Sequence, residues 1–223
     1  VCRIADDGFM RLAPARELHL HMLIWPGDFV MPGTVLMMAA PAGCVDEAAS
    51  ADLLEVVLLG DRRTPYQDVG YAFQELTEVA VRALSPGINA PFTAIPAIDA
   101  IAAGLVKLAS RRMPGLQRAD EAGTVRITIA RGATVAGLAV GALGPIASAA
   151  SAHAEVIARV IEAASLVADR VSGDADREVL RAFTDAVADE AAAGLGAERD
   201  RRHVADRRSA ACAYAAGSRP LTP

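Results

Sequence analysis

The chain has 223 residues, of which 53% are apolar and 22% are charged, so it can bury a sizeable core and is not disordered throughout. Its net charge of −5 is modest, and its acidic and basic residues are interspersed, which excludes a nucleic-acid partner. Cys2, Cys44 and Cys212 lie far apart without CxxC spacing. We therefore expect neither a metal site nor a disulfide framework.

Residues 1–44 are predicted to form a small β unit. The stretch ELHLHMLIW (17–25) alternates, which places Leu18, Leu20, Met22 and Ile24 on one buried face. Pro-Gly turns precede a second strand over 34–40. The connecting string PGDFVMPGTVL resembles the half-motif of barrel-sandwich domains such as lipoyl and biotinyl carriers. Those carriers need a lysine at a hairpin tip, which this chain lacks, so no cofactor is expected.

Residues 45–113 are predicted to form a helical hairpin core. A first helix spans 46–59 and ends at Gly60. In TPYQ, Thr64 is a helix cap and Gln67 the third helical residue, which predicts a long helix from Pro65. Ser85-Pro86-Gly87 ends that helix, and Asn89 is expected to cap the next one, which begins at Pro91. The string SPGxNxP is thus the corner of an αα-hairpin.

Residues 114–196 are predicted to form a short β hairpin followed by helices. GTVRITIA (123–130) alternates as a strand does, and 132–152 carries no charge, a length that could cross a bilayer. Since that segment is mostly Ala, Gly and Ser, with Pro145 inside it, we do not expect it to span a membrane. Later helices carry an outer Glu155–Arg159 pair and an Asp174 cap. Residues 197–223 lose all periodicity and are predicted to be a frayed helix and then a disordered tail. The predicted fold class is α+β.

The string GDRRTPYQDVGYAFQELTEVAVRALSPGINAPFTAIPAIDAIAAGL (60–105) resembles the core of the bacterial family of predicted membrane proteins known as domain of unknown function 2254. PGDFVMPGTVL also fits that family's preceding segment. The resemblance implies a soluble domain of a membrane protein whose transmembrane helices lie outside this chain. The family commonly has an acidic residue after the corner asparagine, and this chain has Ala90. If that acid were a ligand or a catalyst, this member would be impaired.

Seven polar residues match the family pattern and form the candidate ligand-binding set: Gln67, Asp68, Arg82, Ser85, Asn89, Thr93 and Asp99. One interpretation is a small anion-binding pocket beside the helix start at Asn89. The other is structural, because Ser, Asn and Thr at helix ends satisfy unpaired backbone groups, and Asp99 can pair with Arg82 across the hairpin. We favour the structural interpretation and assign no catalytic residue.

The sequence leaves three functions open. The first is a non-enzymatic soluble module of a membrane protein, acting in scaffolding, oligomerisation or ligand sensing. The second is an enzyme with a polar site at the Asn89 corner, and the third is a regulatory domain of a transport or channel assembly. The expected location is the cell membrane, reached through segments outside this chain, and a second copy of the chain is the other partner considered. If the chain is an enzyme, we expect a deep pocket lined by the candidate residues. If it is a scaffold, we expect those side chains to form capping bonds at helix ends and an apolar patch to be exposed elsewhere.

Overall fold

The computed structural model describes residues 1–215, and these form an α+β fold of short strands followed by a mostly helical region, which confirms the predicted fold class. The strands are β1 (Arg3–Ile4), β2 (His19–Met22), β3 (Met37–Ala40), β4 (Val57–Leu58), β5 (Gln117–Ala119) and β6 (Val125–Ile129). The helices are α1 (Asp6–Ala15), α2 (Glu47–Glu55), α3 (Val69–Ala83), α4 (Pro91–Ala109), α5 (Val135–Ala149), α6 (Ala154–Ala168), α7 (Asp174–Gly194) and α8 (Glu198–Ala215).

The chain divides into two compact units, one made of residues 1–71 and 113–132 and the other of 72–112 and the chain from 133 onward. The predicted boundaries differ, because they assigned the first 44 residues to the β unit and grouped the 117–129 hairpin with the later helices. That grouping is wrong, since β6 pairs in parallel with β2, with Leu20 opposite Ile127. A parallel pair needs a long crossover, and no local pattern reveals where the chain will return.

The first unit is built on a four-stranded sheet of order β3–β2–β6–β5. The strands β2 and β3 form an antiparallel hairpin that carries the PGDFVMPGTVL segment, with His19 opposite Ala40. The buried face of β2 is the predicted one, and it packs with β6 and α1 in a core that includes Phe9, Leu18, Leu20, Met22, Ile24, Ile127 and Ile129. The alternation in the sequence therefore identified this core face correctly.

Two predicted element boundaries in the first unit are wrong for the same reason. Helix α2 ends at Glu55, and the next residues form β4, which pairs with β1. Helix α3 begins at Val69 instead of Pro65, because Gln67 bonds across the chain: its Nε2 donates to Ile4 O (2.8 Å) and its Oε1 accepts from Ile4 N (2.7 Å). These long-range backbone contacts outweigh the local signal in TPYQ.

In the second unit, α6 is the central helix. It is buried along most of its length and packs against α4, α5, α7 and α8. The chain reverses between α3 and α4, and the ring of Phe73 lies so close to Gly104 that a Cβ there would be 2.9 Å from Phe73 Cε1. The Oγ1 of Thr77, a buried residue on α3, lies 2.9 Å from Ala142 O of α5. The predicted reversal between two helices is therefore present.

Residues 198–215 form α8, a continuous helix where the sequence predicted a frayed helix and then a disordered tail, so disorder is wrong over this range. Residues 216–223 lie outside the described part of the chain. Val204 is buried, and the helix is held by arginines on its surface. Arg207 Nη1 lies 2.7 Å from Glu162 Oε1, and Arg208 reaches Asp185 and Asp189 on α7 at 2.9 and 2.8 Å. The sequence did not predict the full length of α8, because the low apolar content of this segment gives no periodicity.

Among the described residues, α4 is the one helix that is long and apolar enough to cross a membrane, and a core helix can have the same composition. Ile98, Ile101 and Leu105 of α4 are fully buried, and 33% of the apolar stretch of this helix is buried in total. The uncharged 132–152 segment contains α5, whose 15 residues include buried Leu143 and Ile146. One face of α5 is therefore buried in the second unit.

Candidate functional site

The corner between α3 and α4 is closed by backbone and capping bonds. Ser85 Oγ donates to Arg82 O (2.7 Å), and Ala90 N donates to Ala83 O (2.8 Å). Asn89 was predicted to cap α4, but the cap position is Ala90, which has no side-chain bond. Asn89 instead adopts φ +47°, a left-handed conformation that asparagine tolerates. Its place in the corner is therefore explained by backbone geometry.

Two of the remaining candidates on this hairpin are exposed, and the third pairs with a different helix. The side chains of Arg82 and Thr93 face solvent, and Thr93 N donates to Ala90 O (2.9 Å). The predicted Asp99–Arg82 pair is wrong, because Asp99 Oδ1 accepts a 2.5 Å bond from Arg159 Nε of α6. Asp99 lies on α4 where that helix packs against α6, a contact that no local spacing reveals.

Arg159 is the centre of a charged cluster on the second unit. Its Nη1 lies 2.8 Å from Glu162 Oε2, and the hydrogen bonds to Asp99 and Glu162 raise the pKa of its guanidinium. The predicted Glu155–Arg159 pair is wrong, since Glu155 lies 3.2 Å from His203 Nε2 of α8. These contacts connect α4, α6 and α8, so the charged side chains of the cluster stabilise the packing of the three helices.

Gln67 and Asp68 belong to the first unit, where both hold distant segments together. Gln67 pairs with the backbone of β1, as described above. Asp68 is 5% exposed; its Oδ1 accepts from Tyr71 N (3.0 Å) and caps α3, while Oδ2 accepts from Arg63 Nε (2.9 Å) and Nη2 (2.7 Å). A Cβ on Gly27 would lie 2.2 Å from Asp68 Oδ2, so the carboxylate rests directly on the PGD turn.

Asp28 is a structural residue of that turn whose partners the sequence did not reveal. Its Oδ2 accepts from Trp25 N (2.7 Å) and from Arg131 Nη2 (2.5 Å). Trp25 belongs to the PGD turn and Arg131 follows β6, so one carboxylate links segments 103 residues apart. A Gly-Asp turn after a strand is the only local signal for this site.

The seven candidate residues are therefore divided between the two units: Gln67 and Asp68 lie in the first, and Arg82, Ser85, Asn89, Thr93 and Asp99 lie in the second. Four of them already have structural partners: Ser85 and Asp68 form capping bonds, Gln67 bonds to the backbone of β1, and Asp99 forms an ion pair. Within residues 1–215, no group of three or more His, Cys, Asp or Glu side chains is arranged to hold a metal ion. His19 Nε2 lies 2.9 Å from Thr128 Oγ1 on the neighbouring strand.

Two features of the first unit were not predicted. One is a cavity of about 220 Å³ between α1 and the inner face of the sheet, lined mainly by apolar side chains, with Asp6, Gln67 and Arg118 as its polar groups. The other is an exposed apolar surface on the β2–β3 hairpin. Its members are Phe29 (88% exposed), Met31 (63%), Val35 (61%) and Met38 (55%), called the apolar edge below. Residues 29–45 contain no charged side chain.

The fold and these sites define a class: an α+β protein with a small sheet unit and a helical unit, in which the polar residues of the recognised motifs connect structural elements. The profile of the family described as predicted membrane protein, DUF2254, matches residues 1–165, and the chain belongs to that family. No activity is attached to that description.

The chain is similar to uncharacterized proteins of two mycobacteria. It is 33% identical over 121 residues to one of Mycobacterium bovis and equally to one of Mycobacterium tuberculosis. The aligned part is 52% of this chain and 23% of each relative, so the chain spans about a quarter of their length. No solved structure matches the chain significantly.

Proposed function

We propose that the chain is a non-enzymatic module of a membrane protein, lying beside the cell membrane, and that it self-associates through the apolar edge. The observation that carries this proposal is the edge itself. Four large apolar side chains, each more than half exposed, share one hairpin in a 17-residue stretch without charge. Several large apolar side chains exposed on one hairpin are typical of an interaction site.

The geometry of the sheet favours a second copy of the chain as the partner. Strand β3 is at the end of the sheet order, and its outer side has no strand partner among the described residues. Soluble proteins protect such edges with charged residues, and the opposite edge strand, β5, carries Arg118. The sequence of β3 is MMAA, which has no such protection. Antiparallel pairing of β3 with its copy would extend the sheet and bring the partner strand beside Met38.

Order in the hairpin supports the same conclusion. Met31 N donates to Thr34 Oγ1 (3.0 Å), Thr34 N donates to Met31 O (3.0 Å), and Gly33 adopts φ +90°, so the turn is defined by its own bonds. Because the loop is already ordered, binding through Phe29 and Met31 costs little additional conformational entropy. An enzyme at the Asn89 corner is less favoured, because Ser85 and Asp99 are already engaged.

Sedimentation velocity over a range of protein concentrations tests the proposal. We expect a reversible dimer, and we expect Met38→Lys to shift it to monomer because a lysine on an edge strand disfavours pairing with a second edge. The matched control is Leu54→Lys on α2, since Leu54 has the same 55% exposure and lies outside the edge. A wild-type chain that stays monomeric, or equal effects of both variants, would contradict the proposal.

A further inference from the structure

The cavity of the first unit is lined mainly by apolar side chains, and Arg118 is the one cationic side chain in its lining. Its walls include Phe9, Met22, Ile24 and Ile127, which are all less than 5% exposed, and Trp25, the single tryptophan of the chain. Its polar side chains are Asp6, Gln67 and Arg118. Gln67 has both ends of its amide bonded to the Ile4 backbone, which leaves the Asp6–Arg118 pair to interact with a ligand.

Arg118 has unused binding capacity. Its Nη1 donates to Gly115 O (2.5 Å) and Gln117 O (3.1 Å), and its Nε reaches Asp6 Oδ2 at 3.4 Å. Within the described residues, no hydrogen bond or ion pair engages its Nη2. The Arg118 side chain is 24% exposed and that of Asp6 is 51% exposed, so solvent screens this long contact and it opposes the guanidinium charge only weakly. A guanidinium in this setting is suited to a carboxylate, which can accept two parallel bonds.

We propose that this cavity binds a small apolar monocarboxylate, with its hydrocarbon part among the buried side chains and its carboxylate on Arg118 in place of Asp6. A cavity of about 150 Å³ holds benzene, so 220 Å³ admits a ligand of about nine non-hydrogen atoms. Hydrocarbon enters because the walls are apolar, and a single anionic group is selected because Arg118 is the one cationic side chain in the lining. This site is distinct from the apolar edge, and binding there does not depend on self-association.

Trp25 makes the proposal directly measurable, because bromine quenches tryptophan fluorescence on contact and no other tryptophan contributes. The probes are 6-bromohexanoate and its neutral isostere 6-bromohexanamide, titrated into the full chain at neutral pH. We expect saturable quenching by the acid at about tenfold lower concentration than by the amide, the factor that one charge-assisted bond supplies. Equal quenching by both would overturn the ligand class, and non-saturable quenching by both would overturn the site.

Two substitutions separate recognition from structural damage. Arg118→Gln should weaken acid binding about tenfold and leave amide binding unchanged. Asp6→Asn should do the opposite and tighten acid binding, because it removes the carboxylate that competes for Arg118. A purely structural role for the pair predicts that both variants weaken both probes, so that result would refute the proposal even if Arg118→Gln lowers stability.

Discussion

Replacing Gly27 by alanine tests whether the PGD turn and Asp68 form one structural joint. Gly27 adopts φ +96°, and its Cβ position is 2.2 Å from Asp68 Oδ2. Gly33, in the same hairpin, adopts φ +90° but has nothing within 4 Å of its Cβ position. Gly33→Ala therefore carries the conformational cost alone, about 1–2 kcal/mol. Gly27→Ala must also displace the buried carboxylate.

That displacement has a predictable magnitude. A shifted Asp68 loses its cap on Tyr71 N, which is typically worth about 1 kcal/mol, and weakens its bonds to Arg63. We expect Gly27→Ala to cost about 2–4 kcal/mol in total, clearly more than Gly33→Ala. Urea unfolding followed by the fluorescence of Trp25, which lies in the first unit, measures both variants on the relevant part of the chain.

A double-mutant cycle identifies the cause. If the carboxylate is the obstacle, Gly27→Ala and Gly33→Ala should cost about the same in an Asp68→Ala background, because the contact has been removed. Similar losses for the two glycine variants in the wild-type background would refute the proposed contact. A difference that persists without Asp68 would place the obstacle elsewhere in the turn.

Three further predictions concern the helical unit. Thr77→Val should cost about 1 kcal/mol in unfolding free energy, because the valine cannot donate to Ala142 O, and urea unfolding followed by circular dichroism measures it. Burial raises the pKa of Asp169, so its charged form is disfavoured in the folded state and this group lowers stability above its folded pKa. Asp169→Asn should therefore raise the melting temperature at pH 7 and have no effect below the pKa of an unfolded aspartate; a gain that persists in acid would contradict this cause. Val204→Asp should detach α8, since Val204 is 2% exposed, and limited proteolysis should then cleave within 198–215 while the wild type is protected there.

The sequence predicted those elements whose periodicity matches the face they bury. The alternation of β2 gave the correct inner face, and α4, α6 and α7 lie where their apolar stripes indicated. It failed where a distant partner decides the structure. Strand β1 has two residues and exists because β4 pairs with it, and α8 is stable because Arg208 meets carboxylates on α7. Helix α8 is also docked by buried Val204, and such partners, separated by tens of residues, leave no local pattern.

The candidate residues show the same distinction. Ser85 was correctly placed at a corner, and the structural interpretation of its hydroxyl agrees with its bond to Arg82 O. Asp99 was recognised as half of an ion pair, but its partner proved to be Arg159. Charge complementarity can be read from sequence, whereas the choice among several arginines depends on which helix faces pack together. The cavity of the first unit was missed because its lining comes from five separate stretches of sequence.

The sequence segments that match the family contain polar residues whose contacts are structural. In the string PGD, Asp28 accepts a hydrogen bond from Arg131. In RRTPYQD, the Gln67 amide bonds to the backbone of Ile4 in β1, and the Asp68 carboxylate lies directly against Gly27. Each of these polar groups connects segments distant in sequence, so the strings specify a fold. A ligand or partner must instead bind to side chains that do not already hold the fold together. Arg118 in an apolar cavity and Met38 on an unprotected strand edge meet that condition, although neither stands out in the sequence.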